Sequence, residues 1–122
     1  WASEEGQTAD APMRVFATQL ATQALKQLDT IDRLIEQYAR KRALHRIAKV
    51  DLALLRVGSA ELLYISDVPA AVAINEMVEL AKHFGADESP RFINAVLDAI
   101  KGHRADVAAS EKVASEWTST SA

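Results

Sequence analysis

The sequence holds no cysteine. A disulfide framework, a thiolate metal site and a cysteine nucleophile are therefore excluded, and nothing points to an oxidising compartment. Glycine occurs only four times, and no glycine-rich phosphate loop, G-x-S-x-G elbow or dinucleotide fingerprint is present. No apolar run approaches the roughly 20 residues needed to span a bilayer. The start, Trp1-Ala2-Ser3-Glu4-Glu5, lacks the basic region and apolar stretch of a signal peptide. The expectation is a cytoplasmic protein that is neither secreted nor membrane-embedded. An excess of basic charge is missing too: 14 Lys and Arg stand against 17 Asp and Glu, a net charge of −3. A surface that tracks nucleic acid over its whole extent is excluded, so any nucleic-acid site must be a local patch. Sustained period-2 alternation with β-branched residues and internal repeats are also absent.

What is present is ordinary globular material. The 122 residues are 49% hydrophobic and 25% charged, enough for one domain with a real core. Met13, Phe16, Leu20, Ala24 and Leu28 recur at spacings of three and four, a helical stripe with Pro12 in its first turn and Asp10 as a candidate cap. The stripe resumes at Ile31, Leu34, Ile35 and Tyr38. Asp29-Thr30 is the expected break, with one long bent helix as the alternative. Ala43, Leu44, Ile47 and Ala48 lead into Leu52, Leu54, Leu55, Leu62 and Leu63, with a break near Lys49-Val50 left open.

Two later helices are more firmly punctuated. Ser66-Asp67-Val68-Pro69 combines capping side chains with a proline suited to a first helical turn. Ala70, Ala73, Ile74, Met77, Leu80, Ala81 and Phe84 then form an apolar face that ends before Gly85. The device repeats at Asp87-Glu88-Ser89-Pro90, followed by Phe92, Ile93, Val96, Leu97 and Ile100 and then Gly102. The expected organisation is a flexible segment over 1–10, a helical domain over 11–102, and a frayed or disordered tail over 103–122, where Ala, Ser, Glu and Thr dominate. The fold class is all-α, a bundle of five to six helices.

Catalytic and metal chemistry find little support. His45, His83 and His103 are widely spaced and none sits in a zinc-binding arrangement. Glu79 and His83, four apart, read as an exposed intrahelical ion pair. No cofactor is implied, and the chain reads as a non-enzyme. One constellation does stand out: Arg40, Lys41, Arg42, Arg46 and Lys49 place five of the 14 basic residues within ten positions. If helical, Arg42, His45, Arg46 and Lys49 share a face that could grip a phosphate backbone. The plainer alternative is a solvated cationic face balanced by Asp29, Asp32 and Glu36. Phe92 could stack on a base or begin the core face. Asn75 and Asn94, mediocre helix formers inside helices, are each expected to make a specific hydrogen bond, either structural or directed at a ligand.

Several blocks together carry a resemblance. Arg46-Ile47-Ala48-Lys49-Val50-Asp51, Leu54-Leu55-Arg56, Glu61-Leu62-Leu63-Tyr64, Asp67-Val68-Pro69, Val72-Ala73-Ile74-Asn75-Glu76, Glu79-Leu80-Ala81-Lys82, Phe84-Gly85 and Phe92-Ile93-Asn94-Ala95-Val96-Leu97-Asp98 stand in the order and spacing of the NusB family of transcription antitermination factors. The chain resembles that family strongly from Arg46 to Ile100 and more weakly from Phe16 to Arg42. The resemblance implies a cytoplasmic all-helical adaptor that binds boxA RNA together with a small-subunit ribosomal protein, NusE. It also implies work with the transcription elongation complex and in ribosomal RNA biogenesis. By position it places Arg42, Lys49, Asp51, Glu88, Arg91 and Phe92 on the RNA-facing surface, to which the charge pattern adds Arg46. It places a protein-partner surface between Ile47 and Val72.

The departures are specific. NusB proteins open with an arginine-rich segment and a helix of the pattern Arg-x-x-Ala-Arg-Glu, whereas Arg14 is the only basic residue here before Lys26. A chain that begins at Trp1 suggests truncation, processing or an incomplete gene start. Fewer cationic groups on the RNA-facing side would weaken RNA binding, and an uncovered Met13 to Leu28 stripe would invite self-association. Two alternatives follow: the NusB-like RNA-recruiting domain of a ribosomal RNA cytosine methyltransferase, and a degenerate homodimer with reduced RNA binding. The first needs a long catalytic domain, and Asp98 stands where that domain tends to carry arginine.

Overall fold

The structure, a computed structural model, describes residues 11–40, 42–65 and 67–107. The expected cap Asp10, the segment 1–10 and the tail over 108–122 lie outside the described residues. Among the described residues five α-helices have defined bounds, in order α1 (Ala11–Lys26), α2 (Leu28–Tyr38), α3 (Lys49–Tyr64), α4 (Ala70–Phe84) and α5 (Ser89–Lys101), with a 3-10 turn at Leu44–Arg46 between α2 and α3 and helical backbone again over 104–107. No strand occurs among the described residues, so the fold is all-α as expected.

The core is built around α5, which packs against α4, α3 and α2. Its Ile93, Val96, Leu97 and Ile100 are buried, four of the five apolar positions named from the sequence, with Phe92 half-buried beside them. They meet Ala73, Ile74, Met77 and Ala81 of α4, Leu55 and Leu62 of α3, and Ile31 and Ile35 of α2. Gly58 lets α3 approach this core closely: a Cβ there would stand 2.9 Å from both Leu97 Cδ1 and Met77 Cγ.

The helix boundaries refine the sequence reading. The first break falls at Gln27, ahead of Asp29-Thr30. Gln27 donates to the Gln23 carbonyl and accepts from the Ile31 amide, so the backbone is a nearly continuous bent helix, and Asp29 lies in the first turn of α2 without capping it. Pro69 is the N-cap of α4, one position before the helix, and no side chain caps that end. Its carbonyl accepts from the Val72 and Ala73 amides. Gly85 follows α4 as expected, although not in a left-handed conformation (φ −99°). Its reason is space, since a Cβ would meet Ser89 Cβ at 2.6 Å and Ser89 Oγ at 2.7 Å.

Three expectations about side chains need correcting. Leu80 and Phe84 belong to the predicted apolar face, yet both are exposed, because α4 packs on α3 and α5 through Ala73, Ile74, Met77 and Ala81 and turns these two positions outward. Asn75 and Asn94 are exposed on the outward stripes of α4 and α5, so of the two forms their expected hydrogen bonds could take, structural or ligand-directed, the structural one is not made among the described residues. Glu79 pairs with Lys82 (Nζ to Oε1 2.8 Å) rather than with His83. The Lys82 ammonium holds the Glu79 carboxyl below its usual pKa.

Candidate nucleic-acid interface

The basic constellation does not lie on one helix. Ala39 closes α2, and Arg40 takes a left-handed conformation (φ 57°), which turns the chain sharply away from the helix axis. Ala43 and Ile47, which flank the 3-10 turn, are extended, and α3 begins only at Lys49. The expected common helical face of Arg42, His45, Arg46 and Lys49 is therefore replaced by a looped segment. Asp32, expected to balance this charge, is engaged elsewhere: Arg56 donates to it from Nε at 2.9 Å and from Nη2 at 3.0 Å, a bidentate pair between α3 and α2.

The loop meets the start of α5 across a cleft of about 380 Å³. Arg40, Arg42 and Arg46 line one wall, Glu88, Arg91 and Phe92 the other, and Tyr38 and Asp51 close it from α2 and α3. Six of the seven sequence-predicted site residues come together here; the seventh, Lys49, is exposed at the first position of α3 and is not among the lining side chains. Phe92 begins the core face, one of its two expected roles. Its ring is half-buried against the core, and the Arg42 guanidinium carbon lies 5.3 Å from the ring centroid, a cation–π contact across the cleft.

Asp51 is the unusual member. It is 8% exposed, and its Oδ1 is buried without a hydrogen-bond partner although arginines line the same cleft. Sequence reasoning missed Tyr38 and passed over Arg40 as a site residue. Tyr38 read as the last member of an apolar stripe. Its hydroxyl, however, is 2.6 Å from His103 Nε2, which ties the end of α2 to the turn after α5 and fixes one edge of the cleft. Among the described residues no three His, Asp or Glu side chains gather as metal ligands, and no helix is long and apolar enough to cross a membrane.

Comparison with known proteins meets this geometry at one family. The model of the NusB family matches residues 2–101. The chain belongs to the NusB family. The transcription antitermination protein NusB of Desulfotalea psychrophila is 50% identical over 88 residues, 72% of this chain and 62% of that protein. NusB of Clostridium tetani is 59% identical over 70 residues, 57% of this chain and 46% of that protein. The solved structure of T. maritima NusB superposes with a TM-score of 0.74 at 35% identity, covering 79% of this chain and 68% of that one. The chain spans about three-fifths of the length of the first curated relatives, 62%, 59% and 59%. Like its NusB relatives, then, it is a member of a transcription antitermination family, and the all-helical fold agrees with the solved NusB structure.

Proposed function

We propose that this NusB-family chain is a non-catalytic RNA-binding adaptor in transcription antitermination and ribosomal RNA biogenesis, taking boxA-type RNA at the cleft between the Arg40–Arg46 loop and the start of α5. The observation that carries the reading is the convergence of Arg40, Arg42, Arg46 and Arg91 with the half-buried ring of Phe92 on one concavity. Guanidinium groups take phosphate oxygens in bidentate fashion, and an aromatic ring beside them offers a stacking surface for an unpaired base. An overall charge of −3 makes this local cationic cluster the part of the molecule that selects for a polyanion.

NusE, with the elongation complex behind it, is the proposed protein partner. The region from Ile47 to Val72 supports such a surface, because Val50, Val57 and Val72 there are each more than a third exposed and offer apolar area for a second protein. This work would take place in the cytoplasm.

The test is RNA binding measured over a range of salt concentrations. Affinity for boxA-containing RNA should fall as salt rises. Reversing charge at Arg42, Arg46 and Lys49 together should weaken binding and flatten the log–log salt slope by about 2 to 3, roughly one for each phosphate that is no longer neutralised. Equal binding by the triple variant would remove the cleft from the interface.

A further inference from the structure

The RNA cleft leaves Asn75 and Asn94 unexplained. Each lies inside its helix, away from both ends, where asparagine is a mediocre helix former. Both side chains are exposed, and neither is hydrogen-bonded among the described residues. The packing of α4 on α5 nevertheless brings them to one groove of about 320 Å³, lined by the first half of α4 and the second half of α5. Its apolar side is Ile74, 7% exposed, with Val78 beside it. Asp98 and Lys101 stand on the α5 side and pair with each other at 3.0 Å, so the groove carries no net charge. It shares no lining residue with the RNA cleft.

Charge decides what fits this groove. A polyanion calls for an excess of cations and a hard metal ion for an excess of carboxylates, and the groove offers neither. A polypeptide main chain is uncharged. Its repeating N–H and C=O groups match a carboxamide, which donates from its nitrogen and accepts at its oxygen. Two carboxamides on neighbouring helices hold an extended segment at two points, while Ile74 and Val78 take an apolar side chain that projects from it. Main-chain hydrogen bonds then supply affinity and the apolar side supplies selectivity, the division of labour usual in peptide recognition.

We infer that the groove between α4 and α5 is a docking site for an extended, uncharged polypeptide segment of a protein partner, held through its main chain by Asn75 and Asn94. This goes beyond the proposed function and needs neither RNA at the cleft nor NusE on the surface from Ile47 to Val72. Two measurements on the full chain test it. In thermal melts Asn75→Ala and Asn94→Ala should each raise the melting temperature by roughly 2 °C, because alanine is the better helix former. A lower melting temperature would mean that the two side chains hold the fold together, and the inference would be overturned. The second measurement is a nuclear magnetic resonance titration with the capped peptide acetyl-Ala-Val-Ala-Val-Ala-amide, which should shift the side-chain amide signals of Asn75 and Asn94 until they saturate. Replacing the N–H groups of the peptide one at a time by ester oxygen should weaken binding about fivefold at a position that faces an asparagine, the effect of one neutral hydrogen bond. The double alanine variant, followed through the backbone signals of α4 and α5, should lose at least as much affinity. Unmoved asparagine signals, equal affinity across the ester series, or undiminished binding by the double variant each overturn the inference. Oligouridylate that shifts both signals as strongly as the peptide does would assign the groove to nucleic acid and overturn it as well.

Discussion

Glu61 lies in the middle of α3 with 2% of its surface exposed, and it faces Glu76 of α4. Burial raises its pKa above the usual carboxyl value, and the Glu76 charge and a hydrogen bond shared with that side chain push it the same way. The native state therefore holds a proton that the unfolded chain has already released in the window between the ordinary and the raised value. Stability associated with Glu61 is complete below the ordinary carboxyl pKa and is lost as pH rises through the raised one. Glu61→Gln keeps the hydrogen-bonding shape without the charge. It should raise the melting temperature at neutral pH by roughly 4 °C, the shift that about 1 kcal/mol makes in a chain of this size. The gain should shrink as the pH is lowered towards 4.5, the ordinary value for the group. Thermal melts of both proteins across pH check this, and a gain independent of pH would contradict it. Nothing in the sequence marked Glu61 as different from its fellow glutamates, since a buried carboxylate is recognised only by what packs around it.

Among the elements, α3 shows how packing overrides propensity. Glycine is a poor helix residue, and replacing Gly58 by alanine would gain about 0.8–1 kcal/mol on propensity alone. The added Cβ would press on Leu97 and Met77 at 2.9 Å, and overpacking of this kind costs about 1–3 kcal/mol. The second effect is larger. Gly58→Ala should therefore lower stability by about 1 kcal/mol, read as a lower urea midpoint with an unchanged slope. The starts of α4 and α5 were legible because proline and its neighbours act locally. The bend at Gln27 was less so, because neither Gly nor Pro marks it and a single residue departs from helical geometry (φ −107°, ψ 19°). The loop between α2 and α3 misled for a related reason: Arg42, His45, Arg46 and Lys49 keep helical spacing, but the left-handed Arg40 and the extended Ala43 and Ile47 break the helix that the spacing implied.

For the whole molecule, α1 is the least integrated part. It has no buried residue, and Met13 and Leu25 are 69% and 75% exposed, while only Leu20 and Ala24 pack on the core. An apolar helix face of this kind invites association. Light scattering over a range of concentrations should show mass growing with concentration, and replacing Met13 and Phe16 by serine should reduce that growth. A strict monomer at every concentration would count against a dimer built on this face.

The sequence by itself determined the helical class, the faces of α2 and α5, the proline-marked starts of the last two helices, and the residue types able to hold a phosphate or stack on a base. These are local matters of period, punctuation and chemistry, and neighbours in sequence suffice to set them. Only the tertiary structure decided that the Arg40–Arg46 loop faces the start of α5, that Arg42 lies over Phe92, and that Asp51 is sealed beneath them without a partner. Those facts join positions some fifty residues apart, and their cause is the burial of α5 against three other helices, which fixes where its first turn meets the loop.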